Sequence, residues 1–340
     1  MNEQLEQLPI PLLEWYRENA RELPWRKDPT PYRVWLSEIM LQQTRVAAVL
    51  DYYARLLQCC PTVGDLAALP EDQMMKLWQG LGYYTRARSL QRAARIIVEE
   101  YGGEFPREYD AVRALPGIGD YTAGAICSIA YGLPAPAVDG NVLRVVARIT
   151  GDDGDITTQA MKKKVTAELR EVIPTRAPGD FNQALMELGA LVCLPNGAPL
   201  CEKCPAAAFC AAFRTGCTDK LPVKAPRKTR RVEQRDVFLI FYEKRAALRR
   251  RPPRGLLAGL WEFPCEPAPA SCPVRGMEYG SHTGRHIFTH VEWHMTGRVI
   301  LAMDGDLPEG WVWADKKELA RTYAVPNAFS DFAHIVERYL

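Results

Sequence analysis

LPGIGDYTAGAICSIAYGLPAPAVDGN, residues 115–141, joins a glycine-flanked turn to a helix-compatible run and then to an aspartate. Gly117 and Gly119 flank the apolar Ile118, a pattern typical of a tight turn that needs positive φ and a close backbone approach. A helix starting near Asp120 would point its N-terminal amide groups toward an anion bound at this turn. An ordinary helix–helix turn is the alternative for an isolated Gly-x-Gly, so the rest of the chain has to decide between the two interpretations.

Composition places the chain among ordinary globular proteins. Its 340 residues are enough for two domains, with 47% hydrophobic and 25% charged residues and a net charge of +2. Positive charge is local: residues 220–235 hold seven Lys and Arg against one acid, and residues 244–254 hold six against none. Such runs indicate either nucleic-acid binding or a solvated surface. Because no signal peptide or membrane-spanning run is visible, we expect a cytoplasmic protein.

The hydrophobic pattern changes along the chain. Up to about residue 218 apolar residues recur at helical spacing, whereas strand-like runs such as VFLIFY, GLWEFP, IFTHVEWHM and RVILAM follow from Val237. The segment 219–235 between them, with two prolines and seven basic residues, predicts an exposed linker. The sequence therefore predicts a mostly helical domain over residues 1–218 and a smaller α+β domain over residues 236–340.

Four of the ten cysteines form a compact group. Cys193, Cys201, Cys204 and Cys210 follow the spacing C-x7-C-x2-C-x5-C, so the loop 193–210 can bring four thiolates to one inorganic centre. Zinc is an alternative, but a zinc ribbon normally pairs two C-x2-C knuckles, and one such pair is present here. A disulfide framework is disfavoured because no export signal is visible. We therefore favour an iron–sulfur cluster.

Glu38 is a candidate general acid. Thr30 as N-cap and Pro31 at the first helical position predict a helix that places Glu38 about two turns from its start. Its helical neighbours are apolar: Val34, Trp35 and Leu41. An apolar environment raises the pKa of a carboxyl, as a general acid near neutral pH requires. A salt-bridged glutamate on the helix surface is the alternative.

Asp139 is the second candidate carboxyl. It precedes the helical run VLRVVARI, so the simplest interpretation is an N-terminal helix cap. A carboxylate held ionised near a helix N-terminus can also face a developing positive charge. Both roles are compatible.

These stretches together resemble the helix-hairpin-helix DNA glycosylase superfamily, in the 4Fe-4S branch that contains endonuclease III and the MutY-type adenine glycosylases. The LPGIG turn, the aspartate in VDGN and the cysteine loop carry the general match. The MutY-type match adds LPWR at 23–26, SEIMLQQTRV at 37–46, GLGYYTRAR at 80–88 and, in a Nudix-like domain, GLWEFP at 259–264. The resemblance covers nearly the whole chain.

This resemblance implies a DNA glycosylase of base excision repair that removes adenine mispaired with 8-oxoguanine, and with guanine, from double-stranded DNA. In the family, the glutamate matching Glu38 protonates adenine N7, and the aspartate matching Asp139 stabilises or traps the oxocarbenium ion. Asn141 would orient Asp139, and Tyr121 would act near the sugar. Tyr121 occupies the position of the lysine that forms a Schiff base in endonuclease III, and a phenol cannot form an imine. The resemblance thus implies a monofunctional enzyme.

The resemblance also implies contacts to substrate and cofactor. The implied residues are Leu23, Trp25, Arg26 and Gln183 around adenine; Gln43 and Tyr83 as wedges in the base stack; Phe288, Thr289 and His290 as readers of 8-oxoguanine; Gly117, Ile118 and Gly119 on the DNA backbone; and Cys193, Cys201, Cys204 and Cys210 on a 4Fe-4S cluster. Core packing is the alternative for Trp25 and Tyr83. A monomer acting at the nucleoid is expected if the source is bacterial.

Several features depart from the family pattern or leave alternatives. Thr289 stands where the family has serine, and the first cysteine spacer has seven residues instead of six. The carboxylates of a Nudix hydrolase are missing after GLWEFP, so hydrolysis there is not expected. The histidines at 282, 286, 290 and 294 are expected on one strand face, and residues 162–164 on a solvated helix face. An endonuclease III-like lyase and a non-catalytic lesion-binding protein are the alternative functions.

Overall fold

The computed structural model describes residues 2–226 and 229–340; Arg227 and Lys228, part of the predicted linker, lie outside the described residues. The chain divides into two compact units. Residues 1–68 and 89–226 form the first, and residues 69–88 and 227–340 form the second. Within the described parts of the chain, no helix is long and apolar enough to span a membrane.

Residues 3–214 are mostly helical, as the hydrophobic spacing predicted. The helices are α1 (Glu3–Glu6), α2 (Pro9–Asn19), α3 (Pro24–Lys27), α4 (Pro31–Leu41), α5 (Val46–Cys59), α6 (Val63–Ala68), α7 (Glu71–Leu77), α8 (Thr85–Tyr101), α9 (Tyr109–Ala114), α10 (Asp120–Tyr131), α11 (Gly140–Thr150), α12 (Gln159–Val172), α13 (Pro178–Leu191) and α14 (Ala211–Arg214), with a 3₁₀ helix at Cys201–Lys203.

Helix α11 lies at the centre of the helical unit. Residues 142–149 are all buried, and the helix contacts α1, α12, α13 and α14. Its apolar residues join those of α13 and of the N-terminal helices in one hydrophobic cluster. Since Asp139 directly precedes α11, this packing fixes the position of the aspartate.

The turn between α9 and α10 has the predicted helix-hairpin-helix arrangement. Gly117 has φ of +80°, and a Cβ there would lie 2.7 Å from Cβ of Ser89. Gly117 is therefore required both for its conformation and for its close approach. The expectation of positive φ was wrong for Gly119, which has φ of −105° because it is the extended N-cap of α10.

The second unit contains a seven-stranded sheet. Its strands are β1 (Arg231–Tyr242), β2 (Arg245–Arg250), β3 (Trp261–Glu262), β4 (Cys265–Pro267), β5 (Gly276–Ile287), β6 (Val291–Ala302) and β7 (Trp311–Ala314). The order is β3-β2-β1-β6-β5, with β4 on β1 and β7 on β2. β1 and β6 pair in parallel, and the other pairs are antiparallel. Later elements are α15 (Lys316–Arg321), a 3₁₀ helix (Asn327–Phe332) and α16 (Ala333–Tyr339).

Strand β1 is buried on both faces in its second half. Val237, Leu239 and Phe241 belong to one hydrophobic cluster, whereas Phe238 and Ile240 belong to another. This alternation follows from the period of two along a strand. The charged start of β1 also pairs with β6, so residues 231–235 are strand instead of linker. The backbone pairing with β6 makes these residues part of the strand, and the charge of their side chains gives no sign of that pairing.

The histidine series does not lie on one strand. The run IFTHVEWHM, predicted as a single strand, contains the end of β5, a turn at residues 288–290 and the start of β6. His282 and His286 are on β5, His290 is in the turn, and His294 is on β6. The single-strand expectation was wrong because an apolar, β-branched run does not reveal a hairpin turn without glycine or proline.

Candidate functional site

A cavity of about 1060 Å³ in the helical unit gathers most of the predicted site residues. Those lining it are Leu23, Trp25, Arg26, Glu38, Gln43, Gly119, Tyr121, Asp139, Asn141 and Gln183. They come from α3, α4, the hairpin, α10, α11 and α13, which are far apart in sequence. The four residues that the resemblance places around adenine, Leu23, Trp25, Arg26 and Gln183, therefore share one space with both carboxyls.

Glu38 lies in the wall of this cavity and is 6% exposed. The Thr30 hydroxyl accepts a hydrogen bond from the backbone N of Arg33, which confirms the predicted cap of α4. Burial raises the pKa of Glu38 to about 7, and the charge of Asp139 adds to the increase. A hydrogen bond from Tyr121 opposes it. Glu38 can therefore hold a proton near neutral pH, which a surface glutamate in a salt bridge would not.

Tyr121 contacts Glu38 directly. Its hydroxyl donates to Glu38 Oε2 at 2.5 Å and lies 3.5 Å from Sδ of Met186. Burial and the neighbouring carboxyls raise the pKa of Tyr121 well above its ordinary value. The side chain is thus a neutral hydrogen-bond donor that stabilises the ionised form of Glu38.

Asp139 is the N-cap of α11, as predicted. Its Oδ1 accepts from the backbone N of Val142 at 2.8 Å, and its Oδ2 accepts from Nδ2 of Asn141 at 3.0 Å. Burial raises the pKa of Asp139 above its ordinary value, and the hydrogen bonds from Val142 and Asn141 only partly oppose this increase. The carboxylate is therefore held in one orientation at the positive end of a helix.

A hydrogen-bonded chain leads from Asp139 to the cysteine loop. Oδ1 of Asn141 accepts from Arg144 at 3.0 Å, and Arg144 also donates to the carbonyl of Gly189 at 2.8 Å and to that of Cys193 at 2.9 Å. Arg144 is buried and occupies the same helix as the cap. The orientation of Asn141, and through it Asp139, depends on the backbone at the first cysteine.

Glu187, which lines the cavity, was missed by the sequence interpretation. Glu187 accepts from the backbone N, Nε and an Nη of Arg21 at 3.0, 2.7 and 2.9 Å, and from Arg26 at 2.8 Å. Burial disfavours its charge, but the bonds from Arg21 and Arg26 lower the pKa of Glu187 to about 2. This ion pair holds Arg26 in the cavity wall. No motif marks it, because its partners are 166 residues apart.

Asn182 is a further missed residue. Its side chain accepts from the backbone N of Ala137 at 3.0 Å and donates to the carbonyl of Ala135 and the hydroxyl of Ser128, each at 2.8 Å. It therefore fastens the extended segment that leads into Asp139. The sequence does not indicate this role, because an asparagine within a helix does not show which distant backbone groups it binds.

Lys162 differs from its expected position. It is half-buried and lines the cavity of the carboxyls, whereas Lys164 pairs with Asp152 at 2.5 Å on the surface. The expectation of a solvated face was wrong for Lys162. The reason is tertiary: the start of α12 faces the cavity.

The four cysteines of the loop line one small cavity of about 20 Å³. Apolar residues of α11 and α13 and the side chain of Arg148 complete its wall, and Arg148 donates to Sγ of Cys193 at 3.3 Å. Burial raises the pKa of Cys204 to about 12. In the ranges 2–226 and 229–340, no group of three or more His, Cys, Asp or Glu has the arrangement of a metal-ion site. The donors do surround one common space, and four thiols are the ligand set of a cubane cluster.

The remaining predicted residues meet in the second unit. Tyr83 lines a cavity of about 700 Å³ together with Phe288, Thr289 and His290. The hydroxyls of Tyr83 and Thr289 are 3.1 Å apart, within hydrogen-bond distance. Tyr83 is 46% exposed, so core packing does not account for it.

Both predicted wedge residues have left-handed backbone conformations. Gln43 has φ of +56° and Tyr83 has φ of +48°. Such conformations cost about 1–3 kcal/mol for residues other than glycine, and they concentrate at functional sites. The structure thus places strain at two positions that the resemblance had indicated for a mechanical role.

Comparison with known proteins agrees with this geometry. Residues 36–174 match the HhH-GPD superfamily of base excision DNA repair proteins, and residues 236–334 match the NUDIX domain. The adenine DNA glycosylase of Rattus norvegicus is 36% identical over 96% of this chain and 77% of its own length. The adenine DNA glycosylase of Mus musculus is 40% identical with the same coverage. The chain belongs to the adenine DNA glycosylase family.

The structural comparison agrees with the fold of the helical part of the chain. A solved covalent intermediate of endonuclease III with DNA aligns with 62% of this chain and 98% of that one, with a TM-score of 0.53 and 25% identity. The helical base excision domain followed by a strand-rich Nudix-like domain confirms the predicted fold class. Family membership likewise confirms the predicted enzyme class, a DNA glycosylase of base excision repair.

Proposed function

We propose that this enzyme removes adenine from 8-oxoguanine:adenine pairs, and from guanine:adenine pairs, in double-stranded DNA, and leaves the strand intact. The observation that carries the proposal is that two carboxyls line one cavity: Glu38 is buried, with its pKa raised to about 7, and the half-buried Asp139 is fixed as a helix cap. One carboxyl is available as a proton donor and the other as an anion. Cleavage of an N-glycosidic bond to a purine uses both functions.

The reaction begins when adenine leaves the base stack and enters the cavity, whose wall includes Leu23, Trp25, Arg26 and Gln183. Glu38 donates its proton to N7 of adenine, so the ring can accept the electron pair of the C1′–N9 bond as that bond breaks. The carboxylate of Asp139 faces the resulting cation at C1′ and stabilises it or bonds to it. Water then adds its oxygen to C1′, which breaks any bond to Asp139, and its proton passes to the carboxylate of Glu38. The product is an abasic site, and Glu38 is again protonated.

Tyr121 supports base removal without efficient strand cleavage. A lyase step needs an amine that attacks C1′, and the hydroxyl of Tyr121 instead donates to Glu38. Lys162 does line the cavity, so its amine is the group to test for residual cleavage. The Lys162→Met variant distinguishes a contribution from this lysine from spontaneous breakage of the abasic site.

The opposite base is assigned to the cavity of about 700 Å³ that Tyr83 and residues 288–290 line in the second unit, which we call the reading cleft. Phe288, Thr289 and His290 form the turn between β5 and β6, and Thr289 supplies a hydroxyl beside Tyr83. A hydroxyl can both accept from N7–H of 8-oxoguanine and donate to O8, whereas guanine has neither group in that form. Recognition of the lesion is thus proposed to reside outside the catalytic cavity.

A 4Fe-4S cluster is proposed on Cys193, Cys201, Cys204 and Cys210, which line one common space. When bound, it would cross-link the loop and add no chemistry to cleavage of the glycosidic bond. The purified protein should absorb in the visible range, and Cys204→Ser should abolish this absorption. Stoichiometric zinc without iron in the wild-type protein would contradict the assignment.

The test of the proposed function uses a duplex with a single 8-oxoguanine:adenine pair. The expected result is release of adenine, with strand breakage only after alkali. Direct breakage at an oxidised pyrimidine would favour a lyase of the endonuclease III kind, and binding without base loss would favour a non-catalytic protein.

Two further experiments test the remaining expectations. Gel filtration of the enzyme with and without this duplex tests the expected monomer, and a fluorescent fusion in cells tests the nucleoid location.

A further inference from the structure

Arg86 is buried beside the segment that carries Tyr83. It is 8% exposed, and burial lowers the pKa of Arg86 to about 10, which leaves it a cation at neutral pH. It donates to the carbonyl of Leu81 at 3.2 Å and to that of Gly82 at 3.1 Å. Its guanidinium lies 5.3 Å from the ring centre of Trp78 and 5.5 Å from that of Tyr83. One side chain therefore contacts both the backbone before Tyr83 and the ring of Tyr83.

The segment that Arg86 contacts has an unusual backbone. Gly80, Gly82 and Tyr83 have φ of +105°, +71° and +48°. Glycine adopts these values freely, but tyrosine does not, so the surroundings must hold Tyr83 in place. Nε1 of Trp78 donates to the carbonyl of Gly82 at 3.0 Å, which gives that oxygen a second donor besides Arg86.

We propose that Arg86 is a positioning residue that holds the backbone of residues 81–83 and the ring of Tyr83, and thereby sets how effectively this enzyme opens the base stack at the lesion. The proposal rests on the proposed function, in which Tyr83 is a wedge. The planar guanidinium suits this task because it donates to two carbonyls in a fixed geometry while its face lies against an aromatic ring. A lysine offers a point charge and cannot reproduce that combination.

A phosphate-binding role does not explain these contacts. Arg86 is buried, and its Nη2 donates to two carbonyls of its own segment. Arg92, on the same helix α8, is exposed and suits contact with solvent or DNA. Arg92→Lys is therefore the matched control for the same chemical change on the surface.

The experiment is a double-mutant cycle on the full-length enzyme. Arg86→Lys should lower kcat/KM for the 8-oxoguanine:adenine duplex about tenfold, since lysine lacks the planar guanidinium that lies against Trp78 and Tyr83 while it donates to the backbone. In the Tyr83→Ala background the same change should have an effect of less than about twofold, because the group it positions is gone. An equal loss in both backgrounds, or no loss with Tyr83 present, overturns the proposal.

A second measurement follows the insertion of Tyr83 into the base stack in an enzyme that does not catalyse base removal. In the Glu38→Gln background, 2-aminopurine placed beside 8-oxoguanine should brighten when the protein opens the stack, and Arg86→Lys should remove most of this signal. Trp78→Phe, which removes the other donor to Gly82, should reduce it less, and Arg92→Lys should leave it unchanged. Equal brightening with Arg86→Lys overturns the proposal. A wild-type enzyme that brightens the probe but releases no adenine would refute the proposed function and leave the role of Arg86 standing.

Discussion

The catalytic cavity and the reading cleft use opposite physical conditions. Glu38 is 6% exposed and is held by Tyr121, whereas Tyr83 is 46% exposed and lies on a strained loop. A carboxyl that must donate a proton near neutral pH has to be removed from water. A wedge that must enter a base stack has to remain on the surface. Under the proposed function, the chemistry therefore depends on burial, and recognition depends on exposed loops with fixed backbones.

This difference predicts which kinetic quantity each region controls. Changes in the catalytic cavity should lower the rate of adenine release with little effect on DNA binding. Changes in the reading cleft should alter the preference between opposite bases while the limiting rate is retained. The expectations below test that division, starting with the largest effect.

Glu38→Gln should lower the single-turnover rate of adenine release by about 10²- to 10⁴-fold, because the amide cannot supply the proton. Affinity for the 8-oxoguanine:adenine duplex should stay within about threefold, since shape and hydrogen-bonding size are kept. Rapid-quench kinetics and equilibrium binding measure the two quantities. A strong loss of DNA binding with little loss of the rate would contradict the expectation that the catalytic cavity controls the rate of adenine release.

Asp139→Asn should separate catalysis from helix capping. Asparagine is as good an N-cap as aspartate, so the thermal unfolding midpoint should be retained. The rate should fall about 10²- to 10³-fold because the charge that faces C1′ is lost. Asp139→Ala is the comparison variant, and it should lose about 1 kcal/mol of stability in addition. A destabilised Asn variant would show that the charge itself holds the helix.

Thr289→Val should reduce the preference for 8-oxoguanine:adenine over guanine:adenine by about 3- to 10-fold, the usual loss for one neutral hydrogen bond. Thr289→Ser, which keeps the hydroxyl, is the matched control and should retain the preference. Competition between the two duplexes measures the ratio directly. An equal decrease in activity on both duplexes would show that Thr289 does not recognise 8-oxoguanine.

The smallest expected effect is a shift in the pH dependence of adenine release, and the structure predicts the direction of that shift. Glu38 is proposed to act in its protonated form and has a pKa of about 7, so activity should decline as the pH rises above 7. The hydrogen bond from Tyr121 lowers this pKa, so Tyr121→Phe should move the alkaline limb to higher pH. Single-turnover rates between pH 5 and 9, the range about two units on either side of that pKa, give the limb. Movement to lower pH would contradict the assigned contact.

Local features were predictable from the sequence. Thr30 and Asp139 cap their helices because an N-cap depends only on the residues that follow it. Gly117 in the hairpin and the spacing of the cysteine loop are similarly local. Features that depend on distant segments were not predictable, as shown by Lys162 in the cavity and by the hairpin turn inside IFTHVEWHM. The start of β1 within a charged run belongs to the same group.

The sequence by itself determined the helix-hairpin-helix turn, the two domain types and the residue types that the chemistry needs, because these reside in short motifs and in periodicity. Only the tertiary structure decided the environment that makes them effective. Burial raises the pKa of Glu38, Glu187 holds Arg26 from 161 residues away, and Tyr83 meets Thr289 across 206 residues. Desolvation and long-range pairing are properties of packed segments, and no single segment contains them.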